Sequence, residues 1–155
     1  MTETASPTYD RTVAAEQEAL ADWLRARRDE GMALHEIGIF ARTAKLLSER
    51  VTPALRAAGL PSQDIKSDSV PQPGRVAIGT LHGAKGLEFR AVALVGCDRN
   101  QLPLRTVASR IRDGADREEF VEQERHLLYV ACTRARERLR VTWSGQGCEW
   151  LNIEP

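Results

Sequence analysis

Two stretches of this sequence hold residue types suited to phosphate and sugar chemistry. The first is Thr80-Leu81-His82-Gly83-Ala84-Lys85-Gly86-Leu87-Glu88-Phe89. Gly83, Ala84 and Gly86 let a backbone come close to another molecule. Thr80 and His82 can donate hydrogen bonds to phosphate oxygens, Lys85 supplies a positive charge, and Glu88 offers an acceptor for ribose hydroxyls. The second stretch is Glu124-Arg125-His126-Leu127-Leu128-Tyr129-Val130-Ala131-Cys132-Thr133-Arg134-Ala135. The planar guanidinium of Arg134 can neutralise charge on a transferring phosphoryl group. Arg42 is a third candidate, placed just after the apolar run Ile37-Gly38-Ile39-Phe40. From the residues alone a plainer account of each stretch stays open. The first could be a turn between strands with solvated charges. The second, with Arg136, Arg138 and Arg140 following it, could be the solvated face of a helix.

Several other chemistries are excluded. A phosphate-cradling Walker loop needs Gly, four residues, then Gly-Lys-Ser/Thr. Counting from Gly79, the second glycine position falls on Ala84, and Lys85 is followed by Gly86. The pattern fails, so the chain is not expected to hold a triphosphate and magnesium by itself. No second His or Cys stands at ligand spacing from His82, so no metal site is expected. Cys97, Cys132 and Cys148 are an odd set without metal spacing, which suits a reducing, cytoplasmic setting. Cys132 falls on an apolar helix face and reads as core filler.

The positioning elements follow from periodicity. Asp10 is a candidate cap for a helix carrying Val13, Gln17, Leu20 and Leu24 and ending near Gly31. Ile37 to Phe40 reads as a buried strand, and a helix with Leu47, Val51, Leu55 and Ala58 on one face stops at Gly59, with a break expected at Pro53. Residues 62–74, rich in Ser, Asp, Pro and Gln, read as a loop. Val76 to Thr80 and Ala91 to Gly96 are further apolar strands. Residues 105–117 read as polar and mobile, and Phe120, Leu127, Leu128, Ala131 and Ala135 mark a long helix. Leu139 to Trp143 is a fourth strand. Strands apolar on both faces and alternating with helices predict an α/β fold with a parallel sheet flanked by helices.

The chain has 155 residues, 42% hydrophobic and 28% charged, which suits one globular domain. Residues 1–9 read as a disordered arm and 10–155 as the domain. Basic and acidic residues balance at 22 each, so nucleic-acid contact must be local rather than a diffuse basic field. No apolar run is long enough for a bilayer, and no membrane partner is expected.

At the residues quoted, the sequence resembles the UvrD/Rep/PcrA DNA helicases. Thr80 to Phe89, the strand to Gly96 and Leu102-Pro103 are similar to motif V of that family. Glu124 to Ala135 is similar to motif VI, and Ile37 to Arg42 with the helix to Pro61 is similar to motif IV. The resemblance implies a C-terminal, RecA-like helicase domain, a P-loop-type fold without the Walker loop. It implies an ATP-dependent motor moving 3′ to 5′ on single-stranded DNA. The partner would be an N-terminal RecA-like domain of the same protein, which would hold ATP and its magnesium ion. Arg42 and Arg134 would reach the γ-phosphate, with Arg134 as arginine finger, and Glu88 would bind the ribose. Thr80 and His82 would touch the DNA backbone, and Lys85 would couple that contact to the nucleotide. Arg42, Glu88 and Arg134 should then gather at one rim of the sheet.

Three departures qualify the resemblance. The Walker loop and the acidic magnesium motif are absent, so the isolated chain should hydrolyse no ATP. Only 14 residues separate Pro61 from Val76, where PcrA-like relatives insert a subdomain. Asn100 stands where relatives carry glycine. The competing account is a free-standing, non-catalytic module that uses the fold to bind DNA or a protein.

Overall fold

The computed structural model describes residues 6–10, 12–66 and 69–151. Its strands are β1 (Ser6–Asp10), β2 (Ile37–Ala41), β3 (Ser62–Asp64), β4 (Val76–Thr80), β5 (Phe89–Val95) and β6 (Ala135–Ser144). The α-helices are α1 (Val13–Asp29), α2 (Ala44–Leu46), α3 (Thr52–Ala58), α4 (Arg105–Ala108) and α5 (Gly114–Cys132). Among the described residues the six strands form one sheet in the order β1-β6-β5-β2-β4-β3, and every ladder is parallel.

The side-chain alternation of each strand divides the core in two. Ile37, Ile39, Ile78, Ala91, Ala93 and Val95 face one way, onto Leu20 and Leu24 of α1 and Ala54 and Leu55 of α3. Phe40, Ala77, Phe89, Val92, Leu94 and Val141 face the other way, onto Leu81, Leu102, Leu128 and Ala131. Because both faces are covered, the strands have no polar alternation, as the sequence predicted. Glycine is needed at position 38: a Cβ there would lie 2.8 Å from the Phe40 ring and 2.9 Å from that of Phe89.

The sheet order also locates a crevice. The chain leaves β2 towards β4 and β3, but leaves β5 towards β6. Connections that diverge from adjacent strands open a gap at their carboxyl ends, the usual ligand site of such sheets. Arg42 stands at that gap.

The structure revises several local expectations. Residues 1–5 of the expected arm lie outside the described residues, whereas Ser6–Asp10 pairs with β6 as an edge strand. Thr12, not Asp10, caps α1, its hydroxyl accepting from the Ala15 N–H at 3.0 Å. The break expected near Pro53 takes the form of a π-helical turn, Leu47–Val51, with Pro53 starting α3. The loop after Pro61 contains the short β3, and part of the stretch expected to be mobile folds as α4 and the first turn of α5. Ala135 does not continue the helix: α5 ends at Cys132, and Ala135 begins β6. Among the described residues no helix is long and apolar enough to cross a membrane.

Candidate functional site

Arg42 directly follows the last residue of β2, and Ala41 pairs with Thr80, the last residue of β4. The two candidates therefore leave the same edge of the sheet side by side. The Arg42 Nε donates to both carboxylate oxygens of Glu124, at 2.9 and 3.0 Å. Glu124 lies on the inner face of α5, and the side chains are 13% and 3% exposed.

From Thr80 the chain enters a 3-10 turn, Leu81–Ala84, that buries Leu81 and Ala84 and leaves His82 exposed. Gly83 is required by close packing: a Cβ would meet the Ile65 carbonyl oxygen at 3.1 Å. Lys85 and Glu88 are exposed as the chain runs back to the start of β5. Beside this segment lies α5, which returns from β5 to β6. Between them is a cavity of about 350 Å³, bordered by Arg42, His82 and Lys85 and by Gln123, Glu124 and Val130 of α5.

Arg134 sits at the other end of that groove. Its backbone carbonyl accepts from the Phe89 N–H at 2.9 Å. Its Nε donates to the Val130 carbonyl at 3.2 Å, Nη1 to the Leu87 carbonyl at 3.3 Å, and Nη2 to the Thr133 hydroxyl at 3.1 Å. Since Phe89 pairs with Ala135, Glu88 and Arg134 are neighbours at the amino-terminal edge of β5 and β6.

The expected single rim is therefore corrected. Arg42 and Thr80 stand at the carboxyl-terminal edge of the sheet, Glu88 and Arg134 at the amino-terminal edge. Ala41 is level with Val95, so the two levels differ by the length of β5, Phe89–Val95, or about 20 Å at strand rise. The error came from treating every motif as following a strand. The segment before β5 and the turn before β6 precede theirs. What joins the two sets is the groove between α5 and the 80–89 segment, with Arg42 at one end and Arg134 at the other.

Two features were missed. Glu124 was quoted without a role, although its spacing from Leu128 and Ala131 places a carboxylate on the buried face of α5, where it needs a cation. A second cavity, of about 470 Å³, lies beyond β5 and β6 and is bordered by Arg99, Arg105, Gln146 and Trp150. None of the candidate residues reaches it.

Comparison with known proteins bears on this arrangement. The profile of a family described as UvrD-like helicase C-terminal domain matches residues 16–146. The ATP-dependent DNA helicase UvrD2 of Mycobacterium bovis is 45% identical over 69 residues, which are 44% of this chain and 9% of that protein. The ATP-dependent DNA helicase UvrD1 of Mycobacterium leprae is 40% identical over 94 residues, 57% of this chain and 11% of that protein. The matched stretches thus span about a tenth of these relatives' length. A crystal structure of the C-terminal domain of a possible DNA helicase from Lactobacillus plantarum WCFS1 superposes with a TM-score of 0.69 at 22% identity. The match covers 97% of this chain and 80% of that one. At that identity the likeness establishes the fold, a RecA-like parallel sheet flanked by helices.

Proposed function

The chain belongs to the UvrD-like helicase C-terminal domain family, and from that premise we propose that it is the second motor domain of an ATP-dependent helicase translocating 3′ to 5′ on single-stranded DNA. The observation that carries the reading is the groove joining Arg42 to Arg134. One continuous surface, formed by α5 and the 80–89 segment, presents two guanidinium groups, His82 and Lys85. A surface of that chemistry suits a polyphosphate held by a second domain.

The donor set fits half of a nucleotide cleft. The Arg42 terminal amino groups have no protein acceptor among the described residues. The Arg134 head rests on two backbone carbonyls and a hydroxyl, at 3.1–3.3 Å. These are long, neutral contacts that a negatively charged oxygen can outcompete. ATP supplies the phosphoryl group, and the first motor domain would hold it together with its magnesium ion. Arg42 and Arg134 then stabilise negative charge on the phosphoryl oxygens as the cleft closes. The exposed Glu88 carboxylate, beside Arg134, accepts from the ribose hydroxyls. Thr80, His82 and Lys85, on the segment between the two arginines, contact the DNA backbone without reading its sequence. Movement of that segment as the cleft opens and closes couples hydrolysis to stepping.

The test is Arg134→Ala in the intact helicase. The expected result is loss of DNA-stimulated ATP hydrolysis by roughly 10³-fold or more, the range of an arginine finger, with single-stranded DNA still bound. Turnover close to that of the unsubstituted enzyme refutes the assignment.

A further inference from the structure

We propose that Glu124 is the positioning residue for Arg42, and that it aims the guanidinium by taking only its Nε. The inference rests on the reading of Arg42 given above and extends it to a residue to which that reading gives no part.

Glu124 stands one turn before Leu128 and two turns before Ala131, both buried on the sheet-facing side of α5. A carboxylate so placed is strongly unfavourable unless donors satisfy it. It has three contacts from two segments. The Arg42 Nε lies 2.9 Å from Oε1 and 3.0 Å from Oε2, and the Leu104 N–H lies 2.9 Å from Oε1. Leu104 belongs to the loop leaving β5. The carboxylate therefore ties the ends of β2 and β5 to α5, at the crevice where the two connections diverge.

The choice of nitrogen matters. In a fork-to-fork pair the carboxylate occupies two guanidinium nitrogens at once. Here both oxygens converge on Nε, so the base of the head is fixed while both terminal amino groups remain available in the groove. Holding a long side chain in its working rotamer before the phosphate arrives removes an ordering cost from the reaction. A residue serving only the fold would gain more by occupying all the donors it could reach.

The experiment compares Glu124→Gln, Glu124→Ala, Arg42→Ala and the double variant Arg42→Ala/Glu124→Ala in the intact helicase. It measures kcat and KM for ATP at saturating single-stranded DNA. In parallel, the Arg42 Nε–H resonance of the 155-residue chain is followed by ¹⁵N NMR. Glu124→Ala is expected to lower kcat by about 10²-fold, the scale of a misplaced catalytic group, with KM little changed. Glu124→Gln keeps an acceptor of the same shape and should recover part of the loss. The double variant should be no slower than Arg42→Ala alone, because both changes disable one unit. The protected Nε–H signal should weaken in Glu124→Gln and vanish in Glu124→Ala. Additive losses in the double variant, or unchanged kcat in a folded Glu124→Gln whose Nε–H signal has shifted, overturn the positioning role and leave Arg42 as a phosphate ligand. Unchanged kcat in Arg42→Ala overturns both.

Discussion

Arg50 and Asp98 form a two-pronged ion pair across 48 residues of chain, with Nη1–Oδ1 at 2.9 Å and Nη2–Oδ2 at 2.6 Å. Nη1 also donates to Oε1 of Glu16 at 2.9 Å. The second Glu16 oxygen accepts from the Gly96 N–H at 2.9 Å and the Thr142 hydroxyl at 2.7 Å. This network pins α1 and the π-helical turn to the carboxyl ends of β5 and β6, so it fixes the edge from which Arg42 projects. Burial works against the charge on Arg50, but the hydrogen bond and field of Asp98, with the field of Glu16, outweigh it and raise the guanidinium pKa.

Arg50→Ala leaves two carboxylates at a buried site without their cation. It is expected to destabilise the chain by about 3–5 kcal/mol, as when one member of a buried pair is removed. The check is urea denaturation of the 155-residue chain. A loss of about 1 kcal/mol or less, the scale of exposed pairs, contradicts a structural role for the network.

Glu16, Arg50 and Asp98 also show where the sequence stopped being informative. Four strands and the parallel sheet were legible because fully buried strands are apolar without alternation, and Val76 to Thr80 and Ala91 to Gly96 could hardly read otherwise. The motif residues were legible because glycines, a lysine and arginines at those spacings have few other uses. The buried polar groups were not. A Glu four residues before Leu20 lies on the inward face of α1 by simple counting, yet its partners come from positions 50, 96 and 142, which no local pattern connects. The same holds for Arg42 and Glu124, which are 82 residues apart. The short edge strands were missed for a different reason: β3 has three residues, with no hydrophobic signature of its own. The misplaced rim came from topology. Whether a motif precedes or follows its strand decides the edge at which it sits.

The cysteines allow a prediction about pH. Burial pushes the Cys132 thiol up to about 11 from an ordinary 9.0, and pushes Cys97 well above it. Burial also raises Cys148, against opposing backbone hydrogen bonds from Trp150 and Leu151. A raised thiol pKa means the folded state keeps a proton that the unfolded chain releases. Stability from these groups is therefore complete below about pH 9 and declines as pH climbs from 9 towards 11. Urea midpoints measured across that interval should fall, and Cys132→Ala should make the fall shallower. At neutral pH the three thiols should react with an alkylating reagent far more slowly in the folded chain than in urea, since the thiolate is the reactive form. Equal rates in the two states contradict the burial argument.

Lys85 tests the link between the groove and the DNA. Its side chain is exposed, it borders the same cavity as Arg42, and the 3-10 turn before it is anchored by buried Leu81 and Ala84. Replacing it should therefore leave the fold intact and remove one cation from a fixed place. A lysine that neutralises a phosphate releases a condensed counterion, so the logarithm of the binding constant falls with the logarithm of salt concentration by about 0.7 per contact on single strands. Lys85→Ala in the intact helicase should make that dependence shallower by about 0.7. It should weaken binding equally for oligothymidylate and mixed-sequence strands, because backbone contacts carry no sequence information. Fluorescence anisotropy at several salt concentrations measures both quantities. An unchanged slope places Lys85 off the DNA path. A loss confined to one base composition instead makes it a base contact, which this reading of the segment from Thr80 to Phe89 does not allow.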